Sequence, residues 1–381
     1  MRATLFVDWS PQVLPCAPRP INGELLSSWT RRLAAANLIT LPELCACLED
    51  LAQSQEPAAV FDYGSPKTWR LAIARMTRIP EPWVWALDLQ QQFPAIDREW
   101  FLHDATCPEK IVSSFCPECF SEQIAAGQAL HLKAEWAVAL VTRCFVHQLP
   151  LYRYCPWCGM DQPVHFEANA IECLYCEDQL TIRRWTPNPA SPEPLIAAFE
   201  RTVVETFAGR DPDPVWAGEF TAPSFCGLLR DLLWMLTTPE LIDPRYGLAL
   251  VDRVVADRFR PKFHYGGNFE APFHARSWTE REAVVCAIIQ ILLGSASDHA
   301  LGVGGCALRN SAKFRPFVEI LRSVERGEHR LWARIGQWPM SLQDRAGNAL
   351  RFLEAKQARH RRASVRSEGR VVYDLDVRRD T

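Results

Sequence analysis

Four pairs of metal-ligating residues lie between positions 116 and 176, each pair separated by two residues. They read Cys116-Pro-Glu-Cys119, Cys144-Phe-Val-His147, Cys155-Pro-Trp-Cys158 and Cys173-Leu-Tyr-Cys176. A two-residue spacer lets one tight turn aim both ligands at one cation, and a tetrahedral zinc site needs two such pairs. Four pairs therefore predict two closed Zn2+ sites. In the sequential division, Cys116, Cys119, Cys144 and His147 form the first site, and Cys155, Cys158, Cys173 and Cys176 the second. That division needs only local chain closure. An interleaved division, first pair with third and second with fourth, uses the same residues and stays open. Four protein ligands leave no position for water or substrate, so both ions are expected to be structural. Two pairs have the Cys-Pro-x-Cys form of a zinc knuckle, and Gly159 follows one of them where a turn needs positive φ.

The elements around these ligands read as mainly α. Leu25, Leu26, Trp29, Leu33 and Ala36 make one helical stripe over 23–36. Asn22 is placed to cap its start and Asn37 to take a left-handed conformation at its end. Thr40-Leu-Pro-Glu43 opens the next helix with a capping box and an early proline. Two helices across so short a turn predict a helix-turn-helix. The second helix, about 41–52, carries Glu43, Glu49 and Asp50 and no arginine. It is therefore better suited to protein contact or scaffolding than to base readout. Ser65-Pro66 opens a helix with Leu71, Ile73 and Met76, closed by Pro80 and Pro82, and a short helix with Trp83, Val84 and Leu87 follows. Between the first two ligand pairs, residues 121–139 look helical, with Leu130, Trp136 and Leu140 available for packing. Four prolines at 187–194 mark a linker. Beyond it, helices are expected over Phe225–Leu236, from the capping box Ser277-Trp-Thr-Glu280 to near Gly294, over 313–326 and 328–335, and from Ser341. The expected layout is an N-terminal helix-turn-helix domain over 1–105, a two-site zinc module over 106–186, and a basic helical C-terminal domain over 195–381.

At 381 residues the chain is long enough for two or three domains with ample core. A hydrophobic content of 48% and a charged content of 23% are those of a soluble globular protein. No apolar run approaches a membrane span, since the longest, Ala283 to Leu293, is broken by Gln290. Asp8 interrupts the first residues, which lack the basic flank of a secretory signal. The reading is a cytoplasmic protein whose reducing surroundings suit thiolate ligands. Seven cysteines stand outside the ligand pairs, and Cys45, Cys226 and Cys286 fall in apolar helical patterns as core residues.

The net charge of −3 hides an asymmetry. Residues 1–244 carry 18 basic and 30 acidic side chains, and residues 245–381 carry 24 and 15. Either the two parts serve different kinds of partner or they complement each other within the fold. Arginine outnumbers lysine 36 to 6, which favours forked contacts to phosphate or follows from genomic base composition. The basic C-terminal part offers Arg322, Arg326, Arg330 and Arg334 on one stretch. Lys356, Arg359, Arg361 and Arg362 close the last helix, as a solvated end or as a phosphate contact.

Catalytic patterns are sparse. There is no phosphate-binding Gly-x-x-x-x-Gly-Lys-Ser/Thr loop and no His-Glu-x-x-His. Gly302-Val-Gly304-Gly305 imitates a dinucleotide loop without a convincing strand before it. Cys144 and His147 have the residue types of a nucleophile and base, but they sit inside a ligand series. Asp88, Asp97, Glu135 and Asp252 are acids of the kind a metal-dependent nuclease gathers, with no spacing that groups them. The chain is read as a non-enzyme.

Two stretches resemble the TniQ family, the target-selection factors of Tn7-like and related bacterial transposons, which include TnsD. Gly23-Glu-Leu-Leu-Ser-Ser-Trp29-Thr-Arg-Arg-Leu-Ala-Ala-Ala-Asn37 is similar to the family's opening helix, with its Ser-Trp-x-x-Arg-Leu-Ala core. Phe115-Cys-Pro-Glu-Cys-Phe120, Trp136, Cys144-x-x-His147, Leu151 and Cys155-Pro-Trp-Cys-Gly159 are similar to its zinc region in order and spacing. With residues 60–105, the resemblance spans roughly the first half, and Gln337-Trp-Pro339 resembles one later element. The sequence departs from the family pattern after His147, where Gln148 stands in place of the usual glycine. It also has Asn22-Gly23 where an acidic or seryl start is common.

The resemblance implies an adaptor for target-site selection. It would link a target-recognising component to an AAA+ transposition regulator of the TnsC or TniB type, which recruits the transposase. That component is a CRISPR guide-RNA effector complex in some family systems and target DNA itself in others. Some members form homodimers. Members that read an attachment site directly often have a longer C-terminal region than the 187 residues after Pro194, so the chain is expected to be of the compact, partner-dependent type. The protein would be cytoplasmic, and nucleoid-associated when engaged. The competing reading is a stand-alone, sequence-specific, zinc-containing DNA-binding regulator.

Overall fold

The computed structural model describes residues 13–52, 62–104, 107, 110–155, 157–160, 164–167, 170–173, 175–181, 194–217, 220–237, 273–275 and 278–293. Residues 187–193 of the expected proline linker, the Ser277 cap, the Gly302 loop, Asp252 and every helix expected beyond 293 lie outside them. So do Arg322, Arg326, Arg330, Arg334, Arg359, Arg361 and Arg362. The described chain is mainly helical, with one two-stranded hairpin. Met1–Asp213, Thr221–Cys226 and Ala271–Glu282 cluster as one compact unit, and Pro214–Phe220, Gly227–Glu270 and Ala283–Thr381 as another.

The first unit begins with a bundle of α1 (Leu26–Ala36), α2 (Leu41–Ala52), α3 (Lys67–Thr77) and α4 (Glu81–Trp85), followed by the single turn α5 (Leu89–Gln92). Leu26, Trp29 and Leu33 of α1 meet Leu44 and Leu48 of α2. Trp69, Ile73 and Met76 of α3, with Val84 and Leu87, complete the core. Burying each of these side chains stabilises the bundle by about 1.5–3 kcal/mol before entropy is counted. The α1 stripe ends on Ala34, because Ala36 points to solvent.

Both ends of α1 differ from the sequence expectation. The helix starts at Leu26, three residues late, with Leu25 before it and no side-chain cap. Asn22 does not cap it. Glu24, fully buried, instead accepts from Ser28 Oγ at 3.0 Å, from Arg32 Nε at 2.8 Å and from Arg32 Nη2 at 2.6 Å. Residues four and eight positions on thus converge on one carboxylate. Gly23 is at φ 74, and the segment it starts pairs with an extended strand further along the chain. Leu25 N–H reaches Leu132 O at 3.0 Å, and Ala134 N–H reaches Gly23 O at 2.7 Å. At the other end, Asn37 keeps a negative φ of −105°, and the left-handed residue is Leu38 at φ 55. Asn37 acts through its amide, which donates to Leu33 O at 2.7 Å and to Cys16 O at 2.6 Å.

α2 opens as expected. Thr40 N–H donates to Glu43 Oε2 at 2.7 Å, and Glu43 N–H reaches Thr40 Oγ1 at 3.3 Å. α3 ends at Arg78, left-handed at φ 57, before Pro80 is reached. Asp88 accepts from the backbone N–H groups of Gly64, Ser65 and Gln90 and from the Ser65 hydroxyl. Its carboxylate holds a turn.

The central region is less helical than its sequence suggested. α6 (Pro117–Ala125) is followed by Gly127 at φ 62, and a 3-10 turn at Ala134–Ala137 is the only further helix before 194 among the described residues. Trp136 through Val141 are all buried, in a segment that turns and extends. A short apolar run buried on every side does not reveal its period. Leu130, Trp136 and Leu140 are buried as packing residues all the same. The hairpin β1 (Val164–Glu167) and β2 (Ala170–Cys173) is antiparallel, with Val164 opposite Cys173.

α7 (Pro194–Phe207), α8 (Pro214–Ala217), α9 (Ala222–Thr237) and α10 (Trp278–Leu293) follow. The last two match the segments expected from Phe225 and from Ser277. Within the first unit, Glu200 of α7 is fully buried. It accepts from Thr142 N and Arg143 N, each at 3.1 Å, and from the Thr142 hydroxyl, and burial pushes its carboxyl up to about 8. The first turn of α10 joins the same place: Arg143 Nη2 meets Glu282 Oε1 at 2.8 Å, and Arg281 donates to Ala139 O at 2.7 Å. Cys226 and Cys286 are buried and Cys45 partly so.

Glu24→Ala leaves the Arg32 guanidinium facing an empty, dry position. Breaking a buried ion pair in this way costs on the order of 3–5 kcal/mol. The urea midpoint of the full chain should fall well below wild type, and further than for Thr40→Ala, which removes only an exposed cap.

Candidate metal centres

Each ligand pair is placed by backbone geometry that the intervening residues allow. Cys116 stands just before α6, Pro117 is its first residue, and Cys119 follows within the first turn. Proline suits that position because its missing N–H would have no helical partner. The other three pairs share one turn. Gln148, Gly159 and Glu177, each directly after the second ligand, are left-handed at φ 54, 73 and 60. Their N–H groups bond back to Cys144 O, Cys155 O and Cys173 O at 2.7, 2.9 and 2.9 Å. In the reverse direction, Cys144, Cys155 and Cys173 N–H reach Leu149 O, Met160 O and Asp178 O at 2.8, 2.8 and 2.9 Å. Only Gly159 announces this turn in the sequence. Gln148 and Glu177 adopt it against the usual preference of a side-chain-bearing residue.

The turns gather the ligands sequentially. Cys116, Cys119, Cys144 and His147 form one cluster, and Cys155, Cys158, Cys173 and Cys176 the other, with all ligand atoms of a cluster within 4.8 Å of one another. In the first, His147 Nδ1 lies 3.5, 3.4 and 3.6 Å from the sulfurs of Cys116, Cys119 and Cys144, and Cys119 Sγ lies 3.5 Å from Cys144 Sγ. Zinc bonds of about 2.3 Å to sulfur and about 2.0 Å to nitrogen give tetrahedral edges of roughly 3.5–3.8 Å. In the second, Cys155 and Cys176 are 3.7 Å apart and Cys158 and Cys173 3.6 Å. Both donor sets fit a tetrahedral dication. His147 is equidistant from three sulfurs, the geometry of a metal vertex and not of a nucleophile with its base.

The electrostatics agree. Hydrogen bonds from Cys116 and Cys119 hold the Cys144 thiol far below the usual range, and the bond to Cys119 pushes Cys116 far above it. Crowding thus sets the three sulfurs in competition for negative charge. A dication held among them would allow all three to ionise.

The first cluster is the drier. Cys116, Cys119 and Cys144 are buried, and Phe115 stacks on Phe120 at 5.7 Å, with Trp136 edge-on to Phe120 at 5.9 Å. In the second, Cys155 and Cys173 are buried but Cys158 is exposed and Cys176 half-buried. Trp157 N–H and Tyr175 N–H point at Cys155 Sγ and Cys173 Sγ at 3.3 and 3.4 Å, favouring thiolate there.

Some supporting residues left no mark in the sequence reading. Glu122 Oε1 lies 3.0 Å from His147 Nε2, the outer ring nitrogen, though off the N–H direction. A carboxylate on that side of the ring favours the orientation in which Nδ1 faces the three sulfurs. It sits one helical turn past Cys119, and an acid at that spacing is the signal. Arg143, Glu200, Arg281 and Glu282 fix the segment entering Cys144, and their separation along the chain hides them.

Residues 15–151 match the TniQ family model. The match takes in the bundle, the Glu24–Ser28–Arg32 ladder and the first cluster, and it stops before Cys155. No curated protein matches the chain. The chain carries a TniQ domain, the mark of a protein associated with Tn7-like transposition.

Chelator added to metal-loaded protein should remove one ion quickly and the second slowly. Cys158→Ser should abolish the quick phase and leave about one equivalent of zinc by elemental analysis. Gln148→Gly removes the left-handed penalty and should raise stability by about 1 kcal/mol in denaturant melts, with no change in zinc content.

Proposed function

We propose that this TniQ-family chain is a target-selection adaptor, connecting a target-recognition component to an AAA+ regulator of transposition. The observation that carries the reading is the TniQ match over 15–151, which falls on one helical bundle and one closed ligand cluster. TniQ proteins work with transposition regulators and targeting complexes in general. Two structural Zn2+ ions are proposed, held by Cys116, Cys119, Cys144 and His147 and by Cys155, Cys158, Cys173 and Cys176. Closed four-ligand sites supply rigidity and no reaction centre, as a non-catalytic bridge requires. No described helix is long and apolar enough to cross a membrane.

The charge division supports two kinds of partner. The acidic residues 1–244 suit a protein, and the basic residues 245–381 suit nucleic acid or a ribonucleoprotein. Arg322, Arg326, Arg330, Arg334, Arg359, Arg361 and Arg362 are the proposed target-side contacts. On this reading the target component is a guide-RNA effector complex or DNA, the regulator is of the TnsC or TniB type, and the site of action is the cytoplasmic nucleoid.

Purified chain should co-elute with the AAA+ regulator encoded beside it. Reversing Arg322, Arg326, Arg330 and Arg334 to glutamate should weaken capture of the target complex at least tenfold while leaving regulator binding intact. Loss of regulator binding with target capture preserved would overturn the orientation, and no binding to either would overturn the role.

A further inference from the structure

The two ligand clusters differ in how far their sulfurs are open to reagents. Cys116, Cys119 and Cys144 of the first are all buried. In the second, Cys155 and Cys173 are buried, Cys176 is half-buried and Cys158 is exposed. Hydrogen bonds sharpen the contrast. Trp157 N–H and Tyr175 N–H donate to the two buried sulfurs, Cys155 at 3.3 Å and Cys173 at 3.4 Å. A donor stabilises the thiolate that accepts it and so lowers its nucleophilicity. Cys158 is therefore the sulfur of this cluster most open to attack an incoming electrophile. The Cys173 sulfur lies 3.6 Å from it. A disulfide of about 2.05 Å between them needs a closing movement of only about 1.5 Å. Outside the clusters, burial pushes the Cys45 thiol up to about 11 and raises that of Cys47, and Cys226 and Cys286 are buried. Cys16, exposed and belonging to neither cluster, is the natural rival for an oxidant.

We propose that Cys158 is a site of reversible oxidation by hydroperoxides, with Cys173 as its resolving partner. The Cys158 thiolate attacks one peroxide oxygen. An S–O bond forms, the O–O bond breaks, and the leaving oxygen takes a proton from solvent and departs as an alcohol, or as water from hydrogen peroxide. The Cys173 thiolate then attacks the sulfenic sulfur, so that an S–S bond forms and the S–O bond breaks. The departing hydroxide is protonated to a second molecule, water. In sum, two thiolates lose two electrons, the peroxide gains them, and two protons are consumed. Two of the four donors are then spent, which leaves the cluster short of the four ligands that a closed site requires. The buried first cluster is spared. What opens is thus the later part of the ligand series, beyond the TniQ match over 15–151. The proposal rests on the reading of both clusters as ion sites and is independent of the adaptor's partners.

The test treats the full, zinc-loaded chain with hydrogen peroxide, desalts it at intervals, counts retained zinc by elemental analysis and maps the sulfurs by peptide mass spectrometry. One ion should leave about tenfold faster than the other, with Cys158–Cys173 as the first bridge. Dithiothreitol followed by zinc should restore the full metal content. Cys158→His keeps four donors without the attacking thiol, and it should slow the peroxide-driven loss about tenfold. Cys173→His keeps the attacking thiol without its partner, so dimedone should capture a sulfenic acid at Cys158. The wild-type sulfur map decides by itself where a histidine variant fails to fold or to hold zinc. A first bridge between Cys155 and Cys176, equal rates of loss from the two clusters, or oxidation of Cys16 while Cys158 stays reduced overturns the assignment. Fewer than two ions in the chain before peroxide is added overturns the reading of the clusters as ion sites, and this proposal with it.

Discussion

Three sulfurs surround an imidazole nitrogen at contacts of 3.4–3.6 Å in the first cluster, and three thiolates so close in a buried site would need a cation to coexist. That constraint organises the middle of the chain. The segment from Phe115 to Tyr152 has little regular structure to close its backbone hydrogen bonds, and its ligand turns provide much of what a sheet would otherwise supply. Small metal-bound modules use binding free energy as folding free energy in this way. The aromatic floor of Phe115, Phe120 and Trp136 then shields the first cluster, so an ion held there would sit in a dry setting.

The knuckle turns show how one constraint is met by different residues. Each turn needs a left-handed residue after its second ligand, so that two opposed backbone hydrogen bonds can close around the ligand pair. Glycine meets the need at Gly159 without steric cost. At Gln148 and Glu177, side-chain-bearing residues pay a backbone penalty that ligand convergence outweighs. Gln148 therefore makes the same turn as Gly159, and what it adds is local strain.

Local patterns in the sequence translated well wherever the chain interacts with its near neighbours. The ligand pairs, the Thr40–Glu43 box and the stripe Leu26–Trp29–Leu33 all work over three or four residues, and the structure has each of them. Failures occur where a distant strand changes the local answer. Asn22 had the chemistry of a cap, but residues 23–25 are drawn into pairing with 132–134, so the helix starts later and Glu24 turns inward. Residues 128–133 were read as helix because their partner, 23–25, is a hundred positions away. The Arg143–Glu282 pair spans a still longer interval. No window of sequence contains both of its members.

These long-range ties bear on how a bridge transmits position. Gly23 and Leu25 stand on either side of Glu24 at the threshold of α1: Gly23 O accepts from Ala134 N–H, Leu25 N–H donates to Leu132 O, and Leu132 N–H donates to Ser28 Oγ at 2.9 Å. Phe115, next to Cys116, exchanges two backbone hydrogen bonds with Tyr152 at 2.7 and 2.8 Å, three residues before Cys155. The helical bundle, the first cluster and the entry to the second are thus joined chiefly by paired backbone hydrogen bonds. Paired backbone bonds resist shear better than a surface ion pair, because slipping one residue breaks both and reverses every side chain. An adaptor needs its contact faces at fixed separation. In the adaptor proposed above, that fixity would come from the extended segments between the ligands, the least helical part of the described residues.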